Sequence, residues 1–173
     1  MVGEFNIDFR HCPNLSLLSI RSEGKCPNFE TCKDLQILDL TDFRSLSLDL
    51  SPFKSLERVT LYNIEGLELE FGDTPSPKNL SIWKCNLSHF NIPSGLEFLS
   101  LRDNQLKSID LSQCKTLGGL DLYNNKLTEL DVSACTRLDN LDCGRNFIEK
   151  LDLGNNKELH TFYIVPQIDF PNS

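Results

Sequence analysis

Apolar residues recur along this chain at an interval of 21 residues. The clearest stretch, Leu120–Asn146, reads LDLYNNKLTELDVSACTRLDNLDCGRN. Within it Cys143 occupies the position equivalent to Leu122 one repeat later, and Asn146 occupies the position equivalent to Asn125. Internal repetition of this kind predicts a repeat protein, in which each unit buries its apolar side chains only by stacking on its neighbours.

The pattern xLxLx within each unit predicts a β-strand, because two inward apolar side chains flank one residue of the opposite face. Stacked strands lie about 4.8 Å apart and bury these side chains together. A unit of 21 residues leaves no room for a long helix, so extended turns or short 3₁₀ segments are expected to return the chain. The predicted strand centres are Ser19, Asp39, Thr60, Ser81, Ser100, Asp121, Asp142 and Tyr163.

The sequence pattern of the units resembles that of the leucine-rich repeat family over almost the whole chain. The frame LxxLxLxxNxLxxLDLSxCxxL begins at Leu96, Leu117 and Leu138. The segment LDVSACTRLDNLDCGRN is most similar to the short bacterial repeats of secreted and surface proteins of Bacteroidetes, and more distantly to internalin-like proteins. The predicted fold is an α/β repeat, mostly β with little helix. It is a right-handed leucine-rich-repeat solenoid with a concave parallel β-sheet of about eight strands.

One repeat domain is expected over residues 1–173. Residues 1–95 carry irregular repeats, 96–165 carry the regular 21-residue repeats, and 166–173 form a C-terminal tail.

A ladder of asparagines follows the strands of the regular repeats, at Asn104, Asn125 and Asn146. The resemblance implies that this side chain points inward and bonds backbone groups of its own turn and of the neighbouring unit. Such bonds are needed because buried peptide groups must be paired. In the first half of the chain the position holds Phe43, Ile64 and Cys85, where apolar packing is expected instead.

The chain has seven cysteines, and Cys114 and Cys135 stack one unit apart at an inward turn position. Six are interpreted as small core residues: Cys12, Cys32, Cys85, Cys114, Cys135 and Cys143. Cys26 lies in an irregular loop, where a disulfide with Cys32 is the alternative. Their spacing does not match a tetrahedral zinc site.

Acidic residues recur on the back of the coil, at Asp8, Asp49, Glu70, Asp110, Asp131 and Asp152. One carboxylate per unit, followed by Ser or Gly in most units, predicts hydrogen bonds from turn amides. Calcium is the weaker alternative, since it requires several oxygens converging on one ion. We therefore predict no metal and no cofactor.

Charge and residue content exclude several function classes. A formal net charge of −8 disfavours nucleic acids, which are bound by Lys and Arg. No apolar run is long enough to span a bilayer, so no membrane insertion is expected. The three histidines fall at unrelated repeat positions, and none is spaced to form a nucleophile–base pair. The chain is therefore predicted not to be an enzyme, with no catalytic residues.

The outward strand positions bring aromatic and charged residues onto the predicted concave face. These candidate partner-binding residues are Arg58, Tyr62, Trp83, Phe98, Arg102, Asp121, Tyr123 and Asp142. Trp, Tyr and Arg dominate the energetics of protein interfaces, and the two aspartates suit a basic partner. The alternative is that aromatic residues stand here only because they favour strands and pack across them.

The sequence thus predicts a non-catalytic module that binds a partner protein through its concave face. One alternative is the targeting domain of a secreted bacterial effector or enzyme whose catalytic domain lies outside this chain. A second is carbohydrate binding by the exposed aromatics. Dimerisation through an uncapped end is a further expectation. The resemblance implies a secreted or cell-surface protein, whereas free thiols and the lack of a signal segment in this chain leave the cytoplasm open, so no compartment is assigned.

Overall fold

In a computed structural model the described residues are 7–72 and 77–166. They fall into two compact units, which are divided in the sequence between Asn86 and Leu87. We call them the first and the second unit. The expectation of one domain over the whole chain stays a prediction, and the expected C-terminal tail lies, apart from Pro166, outside the described residues.

The first unit has four parallel strands in the order predicted by the repeats. They are β1 (Leu17–Arg21), β2 (Ile37–Thr41), β4 (Arg58–Tyr62) and β6 (Asn79–Trp83). Alternate side chains point inward. In β4, for example, Val59 and Leu61 are fully buried, whereas Arg58 is exposed. Each buried aliphatic side chain contributes roughly 1.5–3 kcal/mol, so the stack of rungs provides the core.

Two short strands form a second, smaller sheet on the back of the first unit. They are β3 (Leu46–Asp49) and β5 (Leu67–Glu70), paired in parallel. Leu46 and Leu48 are buried, while Ser47 and Asp49 are exposed. The sequence predicts only extended turns or 3₁₀ segments here. Strands form instead because these four residues alternate apolar and polar, which suits a sheet with one buried face.

The second unit adds four shorter parallel strands. They are β7 (Phe98–Ser100), β8 (Gly119–Asp121), β9 (Asn140–Asp142) and β10 (Thr161–Tyr163). Hydrogen bonding continues past their ends, since the amide of Leu122 donates to the carbonyl of Asp142 at 2.7 Å. The rungs therefore stay in register through the turn that carries the asparagines.

The predicted fold class is confirmed. Each of the eight predicted strand centres lies in a separate parallel strand, four in each unit. The described residues contain no helix, and so none that could cross a membrane.

Candidate functional site

The asparagine side chains are built into the turns of the second unit. The Oδ1 of Asn125 accepts from the amide of Leu106 at 3.1 Å. Its Nδ2 donates to the carbonyls of Leu101 at 2.9 Å and Leu122 at 3.0 Å. Asn146 repeats this arrangement one rung later. Each amide therefore joins two adjacent rungs through backbone groups.

Cys85 takes over part of this role in the first unit. Its thiol donates to the carbonyls of Trp83 at 3.2 Å and Leu61 at 3.7 Å. The expectation of purely apolar packing is therefore wrong at Cys85, because a thiol is also a weak donor. Phe43 and Ile64 are almost fully buried apolar residues, as expected.

The back-face aspartates cap turns, as the sequence predicts. In each case a backbone amide two residues further on donates to the carboxylate, at 2.8–3.0 Å. These bonds join Arg10 to Asp8, Ser51 to Asp49, Ser112 to Asp110, Ser133 to Asp131 and Gly154 to Asp152. The bond from the backbone of Ser112 lowers the pKa of Asp110 below its ordinary value. Nowhere in residues 7–72 and 77–166 do three potential metal ligands come together.

Five of the seven cysteines are buried: Cys32, Cys85, Cys114, Cys135 and Cys143. The interpretation of Cys12 as a core residue is wrong, because its side chain is exposed. The physical reason is that no earlier rung among the described residues stacks on that turn. Cys26 is partly buried, and both it and Cys32 are free thiols, so the alternative of a disulfide between them is not realised.

Thiol labelling of the native protein should select Cys12. Burial raises the pKa of Cys143 to about 11 and of Cys135 to about 12, and the thiolate is the reactive form. A chromogenic disulfide reagent at neutral pH should therefore react rapidly with Cys12, and with Cys135 and Cys143 only after denaturant is added. Mass spectrometry of the labelled peptides provides the check. Rapid labelling of Cys135 in the native state would contradict the described core.

Alkaline pH should weaken the fold for the same reason. In the folded state the thiol of Cys135 keeps its proton up to a pKa of about 12, whereas an unfolded cysteine ionises near the ordinary value of 9.0. The unfolded state therefore binds fewer protons, and stability falls as the pH rises above that value. The melting temperature should decline more steeply from about pH 9 to about pH 12 in the wild type than in Cys135→Ala. Parallel declines would show that this thiol does not contribute.

The first unit places Tyr62 and Trp83 directly beside each other on the solvent face of its strands. The two residues are Cα partners in the pairing of β4 with β6, and both side chains are half-buried. Lys84 donates from Nζ to the Tyr62 hydroxyl at 3.1 Å and lies 5.4 Å from its ring centroid. Arg58 starts β4 on the same face and is exposed. Aromatic surface and positive charge are therefore adjacent.

In the second unit Tyr123 lies between two guanidinium groups. Arg102 is 4.3 Å and Arg145 is 5.6 Å from its ring centroid. Arg102 also forms a 3.4 Å ion pair with Asp121. Burial raises the pKa of Asp121, with a smaller contribution from the neighbouring Asp142. The two cation–π contacts restrict the orientation of the Tyr123 ring.

Phe98 and Asp142 complete this face of the second unit. Phe98 is 37% exposed, and its ring covers Gly119, where an added Cβ would come within 2.6 Å of it. One carboxylate oxygen of Asp142 accepts from the amide of Gly144 at 3.0 Å. The absence of a side chain at Gly119 thus lets the Phe98 ring lie across the neighbouring strand.

The eight candidate residues divide between the units. Tyr62 and Trp83 are side by side in the first unit, and Arg58 is at the opposite end of β4. The remaining five are in the second unit: Phe98, Arg102, Asp121, Tyr123 and Asp142. We refer to the two groups as the first-unit face and the second-unit face. Within each group the residues stand on adjacent rungs, as the 21-residue interval predicts.

A column of left-handed residues beside these faces was missed by the sequence analysis. It runs Asp42, Asn63, Lys84 in the first unit and Asp103, Asn124, Arg145 in the second, all with φ between 51° and 66°. In both units the asparagine Nδ2 donates to the aspartate at 2.7 Å, and the cation lies over a tyrosine. The sequence feature that indicates this column is the tripeptide Leu-Tyr-Asn, which is present at 61–63 and again at 122–124.

Stacked parallel strands, paired inward leucines and an asparagine ladder define a leucine-rich-repeat fold. Two solved structures from Listeria monocytogenes have a similar fold. The functional domain of InlJ, which includes a cysteine ladder, is 21% identical with a TM-score of 0.65. An internalin, inlF, from strain 4b F2365 is 19% identical with a TM-score of 0.55.

These likenesses concern the fold, and they cover only part of the longer chains. The match with InlJ includes 91% of this chain and 40% of that one. The match with inlF includes 79% of this chain and 50% of that one. No protein-family model and no curated protein sequence matches the chain.

Proposed function

We propose that the chain is a non-catalytic recognition module that binds a partner protein through the solvent side of its strands. The observation that carries this proposal is the pairing of aromatic rings with cations on both faces: Tyr62 with Lys84, and Tyr123 with Arg102 and Arg145. Such side chains supply large contact area with little entropy left to lose, which is characteristic of interface hot spots. The internalin-like fold supports the same class of function.

A partner with a basic surface fits this chain best. The net charge of −8 steers positively charged proteins toward it. On the second-unit face Asp121 and Asp142 are Cα partners on adjacent strands, and both are half-buried. Arg102 neutralises Asp121, which leaves Asp142 as the carboxylate that would meet a lysine or arginine of the partner.

Removing that carboxylate should slow association. Asp142→Asn retains an oxygen that can accept from the amide of Gly144 but loses the negative charge, so the association rate constant should fall about two- to tenfold at low salt. The dependence of this rate on salt concentration should also become shallower. Surface plasmon resonance with the captured partner provides the measurement. Asp152→Asn, a back-face aspartate in the same kind of turn, is the matched control and should behave as the wild type.

The partner can be identified by affinity capture with paired variants. Wild-type protein and the double variant Trp83→Ala/Tyr123→Ala are used side by side, with Phe147→Ala as the control. Phe147 is 47% exposed and lies in a turn outside both faces. A protein retained by the wild type and by Phe147→Ala, but not by the double variant, is the expected result. Equal retention of the captured protein by all three would contradict the proposal that these faces bind the partner.

Carbohydrate binding is the second candidate, favoured by Tyr62 and Trp83 lying side by side as a platform on which a sugar ring could stack. A glycan array separates the two proposals, since a protein-binding module should give no signal. A targeting domain of a longer secreted protein would use the same faces, and this chain spans only 40–50% of its two solved neighbours. Dimerisation through an uncapped end stays a prediction.

A further inference from the structure

The back strand β3 is paired along one edge only. Within residues 7–72 it pairs with β5 and with no other strand. The amide of Leu50 donates to the carbonyl of Glu70 at 2.8 Å, and residues of a parallel strand alternate between its two edges. The amides and carbonyls of Ser47 and Asp49 therefore point away from β5, to the unpaired edge.

Pro27 explains why the preceding rung leaves this edge unpaired. Phe29 and Leu50 begin equivalent turns, so the positions equivalent to β3 one repeat earlier are 25–28, which are not strand. A strand there would have to donate the amide of residue 27 to the carbonyl of Ser47. Proline has no N–H, so the ladder stops at β3.

A groove separates the loop at 25–28 from β3. Its volume is about 1050 Å³, and its walls include Ile7, Pro27, Ser47 and Leu48. Phe29 and Phe53 also line it, with stacked rings whose centroids are 5.6 Å apart. This volume is at the upper end of the roughly 300–1,000 Å³ typical of ligand sites. The groove is therefore large enough for several residues of extended chain.

The charges around the groove favour a segment without net charge. Asp8 and Arg10, at one end, form an ion pair with each other at 2.7 Å. Lys25 and Glu30 are exposed and have opposite signs, and the carboxylate of Asp49 on β3 already accepts from the amide and the hydroxyl of Ser51 at 2.8 and 2.9 Å. A strongly charged segment would meet a like charge on one side, whereas alternating apolar and neutral polar residues would not.

We propose that this groove binds an extended, uncharged segment of a partner protein, which adds to β3 as a third strand. Its backbone would pair with the amides and carbonyls of Ser47 and Asp49. Alternate side chains would pack against Ile7 and Pro27. Adding a strand to an unpaired edge derives affinity from main-chain hydrogen bonds and specificity from alternate side chains. This site is distinct from the strand faces and does not depend on their proposed function.

A synthetic peptide of residues 66–71, with Glu68→Gln and Glu70→Gln, is a suitable probe. Its parent segment already pairs with the other edge of β3, and the two changes remove its charge. Hydrogen exchange of the full chain should show unprotected amides at Ser47 and Asp49 without the peptide. Both should become protected when the peptide is added. Protection without the peptide would show that another segment or a second copy already covers the edge, and would overturn the proposal.

Three variants test whether the edge itself binds the peptide. Ser47→Pro removes one donor from the unpaired edge and leaves the bonds to β5 in place, so affinity should fall about tenfold. Ser47→Ala keeps the amide and should bind as the wild type does. Pro27→Ala supplies the amide that the loop lacks, so the loop should compete with the peptide and weaken its binding. Equal binding by all three variants would overturn the proposal. If Ser47→Pro misfolds, equal binding by Pro27→Ala and Ser47→Ala would overturn it.

Discussion

Asn125→Ala is expected to lower the free energy of unfolding by about 3 kcal/mol, since it leaves buried backbone groups without partners. The lost side chain accepts from the amide of Leu106 and donates to the carbonyls of Leu101 and Leu122. Alanine replaces none of these bonds, and the residue is only 4% exposed, which limits replacement by water. The melting temperature should fall by roughly 6–12 °C for a chain of this size.

Thermal unfolding followed by circular dichroism measures this effect. Asn140→Ala is the matched control, because Asn140 is exposed in the middle of the same unit. Its melting temperature should stay within about 2 °C of the wild type. Equal melting temperatures for Asn125→Ala and Asn140→Ala would show that the asparagine ladder does not stabilise the contact between adjacent rungs.

Trp83→Ala is expected to weaken binding of the partner by about 2 kcal/mol or more, which corresponds to about thirtyfold in the dissociation constant. The indole stands beside Tyr62 on the solvent face of β6, where a partner would cover it. Because its neighbours Ile82 and Leu80 are fully buried on the opposite face, the core does not depend on it. Isothermal titration with the captured partner measures the loss.

The single tryptophan of the chain also reports this contact directly. Covering a half-buried indole should shift its fluorescence emission when the partner binds, without any added label. Phe147→Ala, which removes an exposed aromatic from a turn, should bind with wild-type affinity and show the same shift. An unchanged affinity in Trp83→Ala, together with an unchanged melting curve, would exclude Trp83 from the binding site.

The paired faces have a consequence for any partner that presents two similar segments. Each unit holds a tyrosine beneath a cation, with an aspartate–asparagine pair on the adjacent rungs. Binding at one face raises the effective concentration of the second segment at the other. Comparing Tyr62→Ala, Tyr123→Ala and the double variant would separate two contributing faces from one.

The sequence by itself determined eight of the ten strands among the described residues. A 21-residue interval with paired apolar positions places one such strand in each repeat, so the eight predicted centres followed from spacing, whereas β3 and β5 did not. The turn-capping aspartates also followed, because a bond between residues two apart is local. The positions of the asparagine ladder could also be predicted from the sequence, since each asparagine lies at a fixed number of residues from its strand.

Only the tertiary structure decided what lies across rungs and between loops. Cys12 is exposed because no earlier rung among the described residues stacks on its turn. The sequence around Cys12 does not specify whether such a rung is present. One cation over each tyrosine, Lys84 over Tyr62 and Arg145 over Tyr123, comes from about one repeat further on, in a left-handed conformation that lysine and arginine rarely adopt. Pro27 and β3 line one groove, and this juxtaposition appears only when two rungs stand side by side. The spacing of apolar residues along the chain determines the rungs. The packing of side chains between neighbouring rungs determines the surfaces that the rungs expose.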